Sequence, residues 1–263
     1  MGVRQASDSI TAYPTAECVQ SLNACGIVAL TQRHYGVEIE HGNHRMVAAS
    51  VLNRMRQEGF PIGARQLGVR PECYTQTYDG SGVEIRTPAL KGTQGLEELK
   101  NAMEFLTSIG GFTGRADGMH VHHEAYDYID NGVAILALTD SWIANRNVLR
   151  LFVDKYRWAA LSCAAVSKKP IDDTVKGRSQ GFPRGDLNFG SLLRHGTIEI
   201  RLHEGTLNPI TAAAWVVFGQ AFIEKVIREK AFGNKQTPAK LLEHLGVADK
   251  YAKVLHERAV ANA

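Results

Sequence analysis

The sequence predicts an α+β fold in which a largely antiparallel sheet curves around a cavity and helices pack on its outer face. Short runs that alternate charged and branched apolar residues recur at 36–40, 82–86 and 197–201. Such alternation is typical of a half-buried strand. The run Asp79-Gly80-Ser81-Gly82 has the composition of a hairpin turn between two strands. Longer segments between the strands carry apolar residues at helical spacing.

In chain order, the first strand is predicted at 34–41 and a helix at 45–58, which Gly59, Pro61 and Gly63 end. The hairpin pairs 73–78 with 83–87, and Pro88 stops the pairing. A helix at 93–109 ends at Gly110. The histidine strand follows at 118–123. This order places four charged strands in a single sheet.

The second half is predicted to contain helices over 127–165, which carry Trp142 and Trp158, and a long helix at 210–229. Between them, 167–186 is polar and is our hypothesis for a mobile loop or lid. Arg178 and Arg184 could reach a bound phosphate from this loop, although solvated loop charges are the alternative interpretation.

Length and composition indicate one domain over 1–263, with an N-terminal helical segment at 1–32 and a C-terminal helical appendage at 233–263. The net charge of +3 is too small, and the basic residues are too dispersed, to indicate a nucleic-acid partner. No apolar leader is visible, and the apolar run at 133–138 is too short to span a bilayer. We therefore expect a cytoplasmic protein with no membrane partner, and a homo-oligomer is left open.

The four cysteines show no C-x-x-C spacing, and we interpret them as buried free thiols. They are Cys18, Cys25, Cys73 and Cys163.

Strand alternation predicts where the charged groups point. Glu38 and Glu40 share one face of the first strand, and His120 and His122 share one face of the histidine strand. His123 points to the opposite face, where we expect a structural role. Glu84 with Arg86, and Glu199 with Arg201 and His203, follow the same alternation.

Together these faces would line a cavity with carboxylates, imidazoles and guanidinium groups. Carboxylates suit Mg²⁺, and residues i and i+2 of a strand, about 7 Å apart, can serve one ion or two. The Arg86 and Arg201 side chains offer the bidentate fork that suits phosphate or carboxylate. Two alternatives stay open: Glu38 and Glu40 as a solvated face, and Glu84 with Arg86 as a simple ion pair.

Several common nucleotide and metal motifs are missing from the sequence. It contains no H-E-x-x-H, no Gly-Lys-Ser/Thr loop and no G-x-G-x-x-G. If ATP binds, it does not use those devices.

Four motifs resemble the amidoligase family of carboxylate–amine ligases, which has a glutamine synthetase-like fold and is related to glutamate–cysteine ligase. They occur in the family's order and are G-V-E-I-E (36–40), D-G-S-G-V-E-I-R-T-P-A-L (79–90), G-M-H-V-H-H (118–123) and L-N-F-G-S-L-L-R-H-G-T-I-E-I-R-L-H-E-G-T-L-N-P (187–209). They extend from about residue 33 to 230. His123 followed by Glu124 departs from the small apolar residue and glycine expected there, and 127–186 matches poorly.

The resemblance implies an ATP-dependent ligase that activates a carboxylate as an acyl phosphate for attack by an amine. Its substrates would be small molecules or peptides that carry a carboxylate and an amine. The implied cofactors are ATP and Mg²⁺, with Mn²⁺ as an alternative. The implied roles are metal ligation for Glu38, Glu40, Glu84, Glu199 and His120, cofactor binding for Arg86, Arg201, His120 and Asn188, and catalysis for Arg201, Glu199 and His122.

Two other functions compete with the ligase. One is a catalytically silent relative that acts as a binding or assembly protein. The other is a metal-dependent hydrolase that uses His120 and His122.

Overall fold

The centre of the fold is an open antiparallel sheet. The computed structural model describes residues 33–43, 48–61, 75–79, 82–160 and 163–263. Its strands are β1 (His34–Asn43), β2 (Thr75–Asp79), β3 (Gly82–Arg86), β4 (Leu90–Lys91), β5 (Gly111–Phe112), β6 (Gly118–Glu124), β7 (Leu187–Asn188) and β8 (Thr197–Glu204). The strand order is β2-β3-β1-β6-β8-β7, with β4 and β5 also paired to β1. The predicted antiparallel α+β architecture is confirmed at this level.

The register of the sheet brings the charged strands side by side. Glu38 of β1 lies opposite Arg86 of β3 on one side and opposite His120 of β6 on the other. His122 of β6 lies opposite Glu199 of β8. Since directly opposed residues point to the same face, these side chains form a continuous polar surface across four strands.

Eight helices accompany the sheet in the described part of the chain. They are α1 (Ala48–Gln57), α2 (Gly92–Ser108), α3 (Gly132–Leu149), α4 (Lys168–Val175), α5 (Gly190–His195), α6 (Pro209–Glu229), α7 (Pro238–Leu245) and α8 (Asp249–Asn262). Short 3₁₀ turns span Tyr126–Tyr128, Arg150–Phe152 and Lys155–Ala159.

Helix α6 packs against the apolar face of the sheet. Asn208 caps it, because its side-chain oxygen accepts hydrogen bonds from the Ile210 and Thr211 amides. A Cβ added at Gly219 would lie 2.3 Å from the His123 ring and 2.9 Å from Ile200, so helix and sheet approach closely at this glycine. By length and composition α6 could cross a membrane, but 83% of its apolar window is buried inside the protein.

The C-terminal segment 233–263 forms two helices, α7 and α8, that pack onto the core. Leu241, Leu245 and Leu255 are buried. The Arg258 side chain forms an ion pair with Glu204 at the end of β8 and donates to the Phe152 carbonyl. The appendage therefore stabilises the end of β8 that leads into α6.

Two predictions for the second half need correction. Within the described part of 127–165, the chain forms one long helix, α3, with short 3₁₀ turns before and after it, because Val153 and Ala160 leave helical conformation. The segment 167–186 begins with helix α4, whose Ile171 is buried in the core, so its first half is not a loop. A lid role for 176–186 stays a prediction.

Several predictions fall outside the described residues. These are the helix within 1–32, residues 45–47 of the helix predicted at 45–58, the hairpin turn at Gly80 and Ser81, and Cys18, Cys25 and Cys73. Cys163 is buried, and its Sγ contacts the Arg201 carbonyl at 3.0 Å.

Candidate metal and phosphate site

The polar face of the sheet forms the floor of a cavity of about 510 Å³. Its lining comes from the strands and from the segment that carries β7 and α5. The lining residues are Glu38, Glu84, Arg86, His120, His122, Phe182, Arg184, Asn188, Gly190, Ser191, Arg194, His195, Glu199 and Arg201.

Glu38 lies at the centre of the floor and contacts groups from two neighbouring strands. His120 Nδ1 donates to Glu38 Oε2 at 3.1 Å, and His122 Nε2 lies 3.5 Å from Oε1. Arg86 Nε lies 3.0 Å from the same Oε1. Burial raises the pKa of Glu38, but the hydrogen bonds of His120 and His122 and the charges of His122 and Arg86 hold it well below its ordinary value. Glu38 is therefore a carboxylate anion at neutral pH.

Arg86 links Glu38 to the next strand. Its Nε lies 2.8 Å from Glu84 Oε1, so the guanidinium joins two carboxylates. This contact confirms the alternative in which Glu84 and Arg86 form an ion pair. The pair belongs to the cavity, because both side chains line it.

Glu199 forms the second acidic centre, on β8. Its carboxylate pairs with Arg201 and accepts a hydrogen bond from Asn188 Nδ2 at 2.6 Å. Burial raises the pKa of Glu199, while the charges of His122, Arg201 and His120 lower it below its usual value. Glu199 and Glu38 thus reach the same two histidines from opposite sides.

Two groups of side chains in this floor could each hold a metal ion. One consists of Glu38, Glu84 and His120, and the other of Glu38, His122 and Glu199. Within each group the ligand atoms all lie within 4.8 Å of one another. Glu38 belongs to both groups, which is the arrangement expected for two adjacent cation positions bridged by one carboxylate.

Glu40, which was predicted as a metal ligand, lies in neither group and does not line the cavity. Its Oε2 accepts a hydrogen bond from the Gly118 amide at 2.6 Å, and its Oε1 lies 3.6 Å from His120 Nε2. Glu40 therefore holds the start of β6. It also lies near His120 Nε2, the ring nitrogen that does not bond to Glu38.

The position predicted for His203 is wrong, because the pairing of β6 with β8 is irregular. Met119 lies opposite His203, but Val121 lies opposite Ile200, so β8 has one extra residue between these pairs. This β-bulge shifts the alternation and turns His203 to the apolar face. There its ring lies 5.1 Å from that of Trp215 in α6.

The two other histidines of β6 behave differently from each other. His122 Nδ1 contacts Thr197 Oγ1 at 3.1 Å, which directs Nε2 towards the two carboxylates. His123 faces the core as predicted and is fully buried. Burial, followed by the charges of His122 and Arg33, lowers the pKa of His123 to about 3, so its ring is neutral.

Five residues that line the cavity were not among the predicted site residues: Phe182, Gly190, Ser191, Arg194 and His195. Arg194 and His195 lie within the same late motif as Asn188, which was the available signal. Burial and the charges of His122, Arg194 and Arg86 lower the pKa of His195. Of the two loop arginines, Arg184 lines the cavity, whereas Arg178 pairs with Asp173 in solvent.

Comparison with protein-family models gives no match for this chain, and comparison with curated proteins gives none either. The function is therefore inferred from the residues of the site.

Proposed function

We propose that this protein is an ATP- and Mg²⁺-dependent carboxylate–amine ligase that forms an amide bond, in a peptide or an isopeptide, through an acyl phosphate. We further propose that its sheet is that of a glutamine synthetase-like catalytic domain. The observation that carries the proposal is the sharing of Glu38 between two ligand groups next to Arg86 and Arg201.

The donor set fits a hard divalent cation. Three carboxylates (Glu38, Glu84 and Glu199) from three strands converge on a largely buried floor, and their oxygens lie close enough to reach one or two ions. Carboxylate oxygens are the ligands that Mg²⁺ prefers, and the His120 imidazole extends the fit of the first group to Mn²⁺. In the second group Glu38 and Glu199 would hold the ion, which leaves His122 for the proton of the amine. A metal ion bound there would neutralise the negative charge of the phosphate groups.

The arginines of the floor suit phosphoryl transfer. As the acid's carboxylate bonds to the terminal phosphorus of ATP and ADP leaves, negative charge builds on the phosphate oxygens. Arg201 is buried and oriented by Glu199, while Arg86 is oriented by Glu38 and Glu84. Guanidinium groups fixed in this way stabilise the developing charge without reorganising.

His122 is placed to handle the proton of the amine. In the second half of the reaction the amine bonds to the acyl carbon, phosphate leaves and the nitrogen loses a proton. His122 lines the cavity, and Thr197 and the two carboxylates orient its ring. An imidazole is suited to accept this proton near neutral pH.

The experiment is a screen of amino acids and peptides for ADP release from Mg²⁺-ATP. We expect ADP and phosphate only when Mg²⁺, an acid and an amine are all present. Glu38→Gln and Arg201→Ala should each abolish turnover while circular dichroism stays unchanged. Glu257→Gln, on the exposed surface of α8, is the matched control and should keep full activity.

Wild-type turnover in both Glu38→Gln and Arg201→Ala would reject the assignment of the site. Absence of any nucleotide-induced rise in melting temperature would instead favour a catalytically silent binding protein.

A metal-dependent hydrolase is the second candidate, and the histidine in each ligand group favours it. Such an enzyme would need no ATP and would lose activity to a zinc-selective chelator. Activity that survives ATP omission and disappears with that chelator would replace the ligase.

A further inference from the structure

The cavity is lined by arginines from two parts of the chain. The strands supply Arg86 and Arg201 together with the carboxylates, and the segment 182–195 supplies a basic side made of Arg184 and Arg194, with Phe182 also in the lining. A ligand that fills the cavity therefore meets the metal-binding groups of the strands and two further arginines from outside them.

The arginines of this basic side differ from those of the floor in their partners. Arg86 and Arg201 are each paired with floor carboxylates. Arg184 and Arg194 form no ion pair with any carboxylate in the part of the chain that the structure describes, although both line the cavity. A guanidinium without a carboxylate partner can give its whole donor fork to an oxyanion.

The backbone that carries Arg184 is anchored. Two residues later, the buried Asp186 carboxylate accepts hydrogen bonds from the Val166 and Leu187 amides and from Trp142 Nε1, at 2.7, 3.0 and 3.1 Å. These bonds tie the segment to α3 through Trp142 and to the backbone at Val166. Arg184 thus extends from a fixed position.

The backbone that carries Arg194 is anchored from the opposite end. The Asn188 side chain accepts a hydrogen bond from the Gly190 amide at 2.9 Å, which holds the start of α5. The helix ends at Gly196, whose φ of 67° is left-handed and favours glycine. Both arginines are therefore presented by ordered backbone on either side of β7, and little ordering is needed when an anion binds.

We propose that Arg184 and Arg194 form an oxyanion site that binds a second anionic group, carboxylate or phosphate, on the acid substrate. The identification of this ligand as the acid rests on the proposed ligase function. The reacting carboxylate must lie with the triphosphate beside the metal-binding groups, where Arg86 and Arg201 already pair with carboxylates, so Arg184 and Arg194 are left for a different anion. The Phe182 ring, held 5.6 Å from that of Phe189, would pack against the carbon chain between the two groups.

The test is binding of simple mono- and dianions to the full chain, measured by calorimetry in the presence of Mg²⁺. The probes are glutarate, 4-phosphonobutyrate and butyrate. Glutarate or phosphonobutyrate, or both, should bind more tightly than butyrate. Arg184→Gln and Arg194→Gln should each weaken that binding about tenfold or more, because each removes a charge-assisted contact.

Arg178→Gln is the matched control, since Arg178 lies on the same segment but pairs with Asp173 and does not line the cavity. It should leave all three affinities unchanged. Equal binding of butyrate and the dianions, no binding of either dianion, or no effect of the two variants would overturn the oxyanion site. Weaker Mg²⁺-ATP binding in these variants with unchanged dianion binding would assign the arginines to the nucleotide and also overturn it.

This binding experiment separates the two proposals, because it needs no turnover. Selective dianion binding without ADP release in any acid–amine combination would reject the ligase and keep the oxyanion site. ADP release with acids that carry one anionic group only would keep the ligase and reject the oxyanion site.

Discussion

The amide of Asn188 donates a hydrogen bond to the carboxylate of Glu199 at 2.6 Å, which joins the short strand β7 to β8 inside the cavity. The two residues lie opposite each other in the strand pairing. The same Asn188 side chain accepts a hydrogen bond from the Gly190 amide. It therefore orients an acidic ligand and the start of α5 at the same time.

Asn188→Ala should weaken Mg²⁺ or Mn²⁺ binding by about 10–100-fold, the cost typical of losing a group that orients a metal ligand. The reason is that Glu199 keeps its charge but loses one of the contacts that fix its carboxylate. Titration calorimetry with each metal measures the change. Asn234→Ala, in an exposed turn, is the control, and an unchanged metal affinity in Asn188→Ala would contradict the role given to this amide.

Glu40→Ala should affect folding more than metal binding. The substitution leaves the buried Gly118 amide without its 2.6 Å partner, so the free energy of unfolding should fall by about 1–3 kcal/mol. Urea denaturation measures this loss. Since Glu40 lies in neither ligand group, the loss of Mg²⁺ affinity should be smaller than in Glu38→Gln. An equal loss of affinity in the two variants would restore Glu40 as a ligand.

His123→Leu should stabilise the protein, and more strongly at acidic pH. Both ring nitrogens of His123 are buried without a hydrogen-bond partner in the described part of the protein. An apolar side chain at this position should therefore raise the free energy of unfolding by about 1 kcal/mol at pH 7.

The pH dependence follows from the pKa of His123, which burial lowers from 6.5 to about 3. Between these values the unfolded chain binds a proton that the folded chain does not, so folded stability falls as pH falls below 6.5. The loss is about 1.4 kcal/mol per pH unit. Since about 1.5 pH units lie between 6.5 and 5, the advantage of His123→Leu, measured by urea denaturation from pH 7 to pH 5, should grow by about 2 kcal/mol. His256→Leu, on the exposed surface of α8, should show no such growth, and a constant difference for His123→Leu would contradict the prediction.

Local sequence was sufficient to predict the strands of the site and the faces of β1, β3 and β6. Alternation of charged and branched residues has the period of a strand, so Glu38, Glu84, Arg86 and His120 were correctly expected on polar faces. The start of α6 could also be predicted from local sequence, because Asn208 and Pro209 form a capping sequence.

Pairing between distant segments decided the rest. The β-bulge in β8 depends on its register with β6, so period-two alternation alone placed His203 on the wrong face. A hydrogen bond from the Gly118 amide occupies one oxygen of Glu40, which lies in neither ligand group. The different environments of Arg184 and Arg178 arose from the packing of a whole segment against the sheet.

The sequence by itself thus determined which residue types face the cavity, because the direction of a side chain along a regular strand is a local property. Only the tertiary structure decided which of those residues meet, since register, bulges and loop anchoring depend on partners far away in the chain.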